Sequence, residues 1–361
     1  MRYLPIFILF IFLLQACQRI RPLLQRTERG KYESSFRKDD SLFNRWKSAH
    51  DQAMAAPLTI ALPYQATLQI ADVAASALVY QIAVKQGQRL VAELSTLSDS
   101  SRIFLEFFDG HAFSNKKLLA ERSDLSNEVN WSANRDDSVR VSLQPLLHDS
   151  AVYHLKIYAQ PAYHFPVLGK DNRAIQSFWG ADRDGGARRH EGIDIFATRG
   201  TPVLAVADGH VGFAGERGRL GGKQVWLQEK ELGFRIYYAH LDSTSVYTGD
   251  AVALGDTLGF VGNTGNAAGG PPHLHFGVYG SGGAVDPLNF VKKITVPSGR
   301  TYSFNMKQIR VTKNTQLRQG PDVTYPARLQ LQAGEDIKVL ARTGNWWHVM
   351  ARDSIPGFVF Q

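Results

Sequence analysis

Pro271-Pro272-His273-Leu274-His275-Phe276-Gly277-Val278-Tyr279 reads as a strand that begins where two prolines stop the preceding chain. Side chains of a strand point alternately to its two faces, so His273 and His275 share one face about 6–7 Å apart while Leu274 packs behind. Both imidazoles can therefore enter one pocket.

Two further histidines stand in comparable settings. Tyr237-Tyr238-Ala239-His240-Leu241 is an apolar-rich strand that ends in a histidine. His190-Glu191-Gly192-Ile193-Asp194 has the spacing H-x-x-x-D. On a helix both side chains would share a face, but Gly185-Gly186, Gly192 and Ile193-Asp194-Ile195 favour a loop that enters a strand. His190 and Asp194 then converge only if the chain bends between them, and Gly192 permits that bend.

These segments lie in a glycine-rich stretch, 163–295, which is the chemical centre of the chain. Before it, over 58–162, apolar residues recur with period two: Leu78/Tyr80/Ile82/Val84, Ile103/Leu105/Phe107, Val139/Val141/Leu143 and Tyr153/Leu155/Ile157. Strands with one buried face follow, divided by turn segments such as Asp109-Gly110, and a β-sandwich-like accessory domain is expected. His111, His148, His154 and His164 are too scattered for a metal site. After a linker near Pro297 to Asn305, residues 306–361 carry five short apolar segments. Leu317-Arg318-Gln319-Gly320-Pro321, Asn345-Trp346-Trp347-His348-Val349 and Gly357-Phe358-Val359 resemble bacterial SH3 domains, in which Trp346 or Trp347 would touch a wall peptide.

The chain has 361 residues, 44% hydrophobic and 20% charged, a globular composition long enough for two or three domains. Its net charge of +8 suits an anionic partner, but no compact Lys/Arg run with interleaved aromatics marks it as a nucleic-acid binder. Tyr3 to Leu14 is an apolar run too short to span a membrane and of the length of an export signal's core. Leu14-Gln15-Ala16-Cys17 then resembles the lipobox of bacterial lipoproteins. The resemblance implies a signal over 1–17, lipidation at Cys17 and attachment to a membrane. Gln18 after the cysteine fits retention in the outer membrane, facing the periplasm. Residues 18–57 read as a polar tether with one short helix around Ser41 to Met54.

Zinc in a catalytic site takes three protein ligands from histidine and carboxylate, at about 2.0–2.2 Å, and leaves a position open. Two histidines and one aspartate would suit it, and the remaining histidines could accept a proton or donate to a developing oxyanion. At this point the order of motifs becomes informative. His190-Glu191-Gly192-Ile193-Asp194-Ile195, Arg199-Gly200-Thr201-Pro202-Val203, Ala207-Asp208-Gly209, Tyr238-Ala239-His240-Leu241, Gly249-Asp250-Ala251-Val252, Gly259 to Gly265, His273-Leu274-His275-Phe276 and Asp286-Pro287 follow the pattern of the lysostaphin-like peptidoglycan endopeptidases, the M23 metallopeptidase family. The resemblance implies that His190, Asp194 and His275 bind Zn²⁺ and that His240 and His273 serve the reaction, one as general base and one as electrostatic stabiliser. It also implies an antiparallel β-sheet metallopeptidase domain; with the sandwich-like domain and the small SH3-like barrel flanking it, a mainly β chain is expected.

Gly277 departs from the family, where glutamate is frequent. All five site positions are filled, which favours an enzyme over the family's catalytically silent activators of cell-wall amidases. Peptidoglycan stem peptides are the implied substrate. An outer-membrane location makes the D-alanyl-diaminopimelate cross-link the expected bond, cleaved by a D,D-endopeptidase.

Overall fold

The period-two residues named above are all buried, and together they form one core between two sheets. In the computed structural model, residues 27–70, 77–96, 102–111, 117–123, 126–149, 151–296, 298, 308–352 and 354–360 are described. Cys17 and the lipobox lie outside them. The first sheet has the strand order Leu58–Thr59, Leu78–Val84, Asp137–Pro145, Ile103–Asp109, Leu118–Glu121, antiparallel except at its two-residue edge strand. Facing it, Tyr64–Ile70, Ala151–Pro161, Gln88–Thr96 and Glu128–Ser132 make the other wall of the sandwich.

That second sheet does not stop at the sandwich. Thr67 and Leu68 pair with Arg342 and Ala341 of the strand Asp336–Thr343, so the C-terminal strands continue the sandwich sheet; the linker expected near Pro297 to Asn305 lies, but for residue 298, outside the described residues. A register shift between Val339 and Ala341 marks a bulge, which breaks the alternation. Val339 turns into the C-terminal segment's own core with Leu317, Ile337 and Val349, whereas Leu340 and Ala341 join the sandwich core.

The helix expected around Ser41 to Met54 is present as Ser41–Ala55, and a second, Glu28–Glu33, precedes it; what needs correction is the tether, because both helices pack on the sandwich. Glu28–Glu33 carries Arg29 and Ser41–Ala55 carries Trp46, and both side chains meet residues of the five-stranded sheet. Arg29 donates to both carboxylate oxygens of Glu106 at 2.6–3.0 Å and to Gln144 at 2.6 Å, with its guanidinium over Trp46 and Phe104. Trp46 Nε1 donates to the Pro145 carbonyl at 2.8 Å. Charge and missing periodicity suggested solvent, but one of these charges, Arg29, is paired inside; removing one partner of such a pair costs about 3–5 kcal/mol.

The third sheet belongs to 163–295. Its strands run Ile175–Ser177, Ile193–Phe196, His273–Gly280, Arg235–Thr244, Lys223–Glu229, Gly209–Glu216, Ala251–Val252, all antiparallel. Leu274, Phe276 and Val278 point into its core with Ile193, Ile195, Ile236 and Tyr238. Arg89 and Ser132 of the sandwich hold Glu231 at 2.6–2.9 Å. Among the described residues no helix is long and apolar enough to cross a membrane.

Candidate metal centre and active site

His273 and His275 lie on the face of their strand opposite buried Leu274, as the alternation requires. Strand pairing then supplies the carboxylate: Asp194 sits directly opposite His275, and Phe196 opposite His273. His190 arrives from the preceding hairpin, where its N–H donates to the Ala181 carbonyl at 2.8 Å and its own carbonyl accepts from Gly180 at 2.9 Å. The result is a triangle. His190 Nε2 lies 3.0 Å from His275 Nδ1 and 3.0 Å from Asp194 Oδ1, and the third edge is 3.1 Å.

Backbone carbonyls decide what those atoms present. His190 Nδ1 is 2.9 Å from the Phe178 carbonyl, His240 Nδ1 2.9 Å from that of Thr264, and His273 Nδ1 2.9 Å from that of Pro271. A carbonyl only accepts, so each Nδ1 carries the proton and each Nε2 keeps a lone pair. His275 is turned the other way, with Nδ1 toward the triangle and Nε2 beside Gly192. Two imidazole nitrogens and a carboxylate oxygen at this spacing fit a cation. Ligands at about 2.0–2.1 Å in a tetrahedron are about 3.3 Å apart, close to the observed edges. Zinc would be held by His190, Asp194 and His275, the described residues whose ligand atoms lie within 4.8 Å of one another.

Gly192 acts differently from the sequence expectation. Its backbone is not left-handed, so it does not supply a special bend. A Cβ there would stand 2.6 Å from His275 Cε1, 2.7 Å from its Nε2 and 2.7 Å from the Phe276 carbonyl oxygen. The glycine is needed because the metal-facing imidazole lies against the backbone of the H-x-x-x-D loop.

His240 is buried, with φ 62°, a left-handed conformation that costs a non-glycine residue about 1–3 kcal/mol. The strain falls within the register shift between Tyr238 and Leu241 against one neighbouring strand, and a second shift, against another, follows between Leu241 and Ser243. Its N–H donates to the Gly221 carbonyl at 2.8 Å, and its ring lies 5.0 Å from that of His273 and 5.8 Å from that of His275. Burial, reinforced by the neighbouring His275 and His273, pushes its pKa down to about 4. Burial also lowers His275, against the opposing pull of Asp194. For Asp194, burial alone would raise the carboxyl; the His190 and His275 rings packed against it overcome that effect and hold the group far below the usual range.

The structure brings all five sequence-predicted residues to one place. His111 pairs instead with Asp137, and His154 with Thr67. Sequence reasoning missed the three carbonyls, which carry no side-chain signal, and Arg183, whose Nη2 touches Asp194 Oδ2 at 2.8 Å. It also missed an aromatic floor. Trp226 stacks on Tyr237 at 4.4 Å and meets Tyr279 at 5.0 Å, and Tyr237 lies 5.7 Å from His275. The rings line up because Trp226 pairs with Tyr237 and Tyr237 with Gly277. Phe178, whose carbonyl holds His190, and Leu220, next to the Gly221 that accepts from His240, are exposed.

A fold and a site of this kind define a β-sheet metallopeptidase domain, and residues 188–287 match peptidase family M23. Over that segment the chain is thus similar to the M23-family peptidases. It is 32% identical over 146 residues to the glycyl-glycine endopeptidase ALE-1 of Staphylococcus capitis, covering 39% of this chain and 40% of that protein. It is 41% identical over 102 residues to the DD-carboxypeptidase/endopeptidase Mpg of Neisseria gonorrhoeae, covering 28% and 23%. The solved catalytic domain of the antimicrobial peptidase lysostaphin from Staphylococcus simulans is 34% identical, over 32% of this chain and 89% of that one, with a TM-score of 0.29. The chain therefore spans 40% or less of the length of these two curated relatives.

Proposed function

We propose that this chain is a zinc endopeptidase that hydrolyses peptide cross-links of bacterial peptidoglycan, at D-alanyl-diaminopimelate bonds. The observation that carries the reading is the 3.0–3.1 Å triangle of His190, Asp194 and His275 with two further imidazoles beside it. The D,D choice is supported by the likeness to a relative named for D,D cleavage and by the lipobox-like Leu14-Gln15-Ala16-Cys17. Lipidation at Cys17 would place the enzyme on the outer membrane facing the periplasm, and an SH3-like reading of 306–361 would give it a second hold on wall peptides.

Zinc at this site would polarise the scissile carbonyl and acidify water. His240, held neutral by burial and with its Nδ1 proton given to Thr264, offers Nε2 as the proton acceptor. His273 is less buried and faces the same space with Nδ1 fixed by Pro271. It would serve as the electrostatic stabiliser of the developing oxyanion. The aromatic floor would carry the flanking peptide away from the metal.

Cross-linked diaminopimelate dimers incubated with protein lacking residues 1–17 should yield monomers, with mass spectrometry identifying a D-alanyl terminus. A chelator should stop the reaction, Zn²⁺ should restore it, and His190→Ala should lose both metal and turnover. A wild type that binds no zinc and leaves dimers intact would sink the proposal.

A further inference from the structure

We infer that Arg183 is a positioning residue of the metal centre, holding Asp194 and His190 from behind in their ligating geometry. The inference rests on the metal reading of the site.

The two oxygens of Asp194 have separate tasks. Oδ1 faces His190 and His275 at 3.0 and 3.1 Å, while Oδ2 accepts from Arg183 Nη2 at 2.8 Å. The same Nη2 donates to Ser177 Oγ at 2.6 Å, and Ser177 Oγ lies 3.3 Å from His190 Nδ1, beside the Phe178 carbonyl that takes the ring's proton at 2.9 Å. Ser177 is also the register partner of Asp194 across the strand pair. One guanidinium thus reaches the outer atom of one ligand directly and that of another through a hydroxyl.

The chain gives this arrangement a fixed base. Asp182–Arg183 pairs with Arg188–Arg189, and His190 follows at once. Gly185 and Gly186 close the hairpin with φ of 69° and 96°, a region that favours glycine. Arginine and first ligand therefore belong to one hairpin, whose base is tied by the bonds of His190 to Gly180 and Ala181.

Arginine suits the task because its planar, permanently charged fork can serve two acceptors at once. The side chain of Asp194 is only 11% exposed, so water is a poor substitute donor for Oδ2. Without Arg183 the carboxylate would be free to rotate about its bond, and Oδ1 would lose its place in the triangle. Outer contacts of this kind typically change metal affinity by about 10–100-fold.

Zinc dissociation constants, measured by competition with a chromogenic chelator at fixed pH, test this on the chain lacking residues 1–17. Arg183→Ala should weaken zinc by about 10–100-fold while the melting temperature of the zinc-free protein moves little. Arg183→Lys should recover part of the loss, since one ammonium can still meet Oδ2. Ser177→Ala should weaken zinc less, and its effect should shrink when Arg183 is already alanine, because both act through one network. Should Arg183→Ala not fold, Arg183→Gln carries the same comparison. Zinc binding by Arg183→Ala within twofold of wild type, or additive effects of the two substitutions, overturns the inference and leaves the metal site standing. A wild type that binds no zinc overturns the metal reading itself.

Discussion

Buried histidines occur in two sheets of this molecule, and burial lowers their pKa in both. In the catalytic sheet His240 is pushed down to about 4; in the C-terminal strands His348 is pushed down to about 3. Their surroundings differ. His240 has its Nδ1 proton taken by a carbonyl and two imidazoles within 6 Å of its own, next to a carboxylate triangle. His348 has a tyrosine hydroxyl 3.1 Å from Nδ1, the ring of Phe358 at 5.1 Å, and an Nε2 without a hydrogen-bond partner. A depressed pKa therefore marks depth. Chemistry is marked by several nitrogens aimed at one volume, with their tautomers fixed from behind.

The comparison breaks if the catalytic histidine proves to be packing. His240→Asn keeps a residue that tolerates the left-handed backbone and removes the acceptor at Nε2. Its kcat should fall by about 10²–10⁴-fold, with zinc content and KM close to wild type. Retained turnover would put His240 in the same class as His348. Gly192→Ala is expected to be milder. Its Cβ collides with the His275 ring and with the Phe276 carbonyl, and only the ring can move. Zinc should bind about 10–100-fold more weakly, and stability should fall by about 1–3 kcal/mol, as a denaturation curve and a chelator titration would read. A variant with unchanged zinc affinity would mean that His275 is not held where the triangle requires it.

What could be read in advance follows the same division. His273 and His275 were legible because a period of two is local to the chain, and Asp194 because it sits four residues after His190. Their meeting was not, since it depends on Asp194 standing opposite His275 across a strand pair. His240 was visible only as the end of an apolar strand; the register shifts around it and its left-handed backbone turn it into the site. Arg183 has no spacing rule, being eleven residues before its partner on a hairpin. Elsewhere the alternation over 58–162 fixed the inner faces correctly. It could not reveal that a bulge at Val339 to Ala341 would send two C-terminal residues into that core. Nor could it show Arg29 buried against Glu106, because a pairing 77 residues apart leaves no local trace.

His348→Phe sharpens the comparison from the other side and should have the smallest effect at neutral pH. The native ring takes up a proton only near pH 3, whereas an unfolded chain takes it up near the ordinary histidine value of about 6.5. Between those values the unfolded state binds more protons. This residue's contribution is therefore complete above about pH 6.5 and is lost as pH falls toward 3, by on the order of a few kcal/mol. Phenylalanine removes that proton uptake and the unpartnered Nε2, at the cost of the contact from Tyr80. Stability at pH 7 should change by less than about 1.5 kcal/mol, turnover and zinc affinity should be unchanged, and melting temperature should decline less steeply from pH 6.5 to 4. A loss of activity would show that the C-terminal strands reach the catalytic sheet in a way that the histidine's local packing does not explain. An unchanged acid slope would place the molecule's acid sensitivity among the histidines of the metal centre.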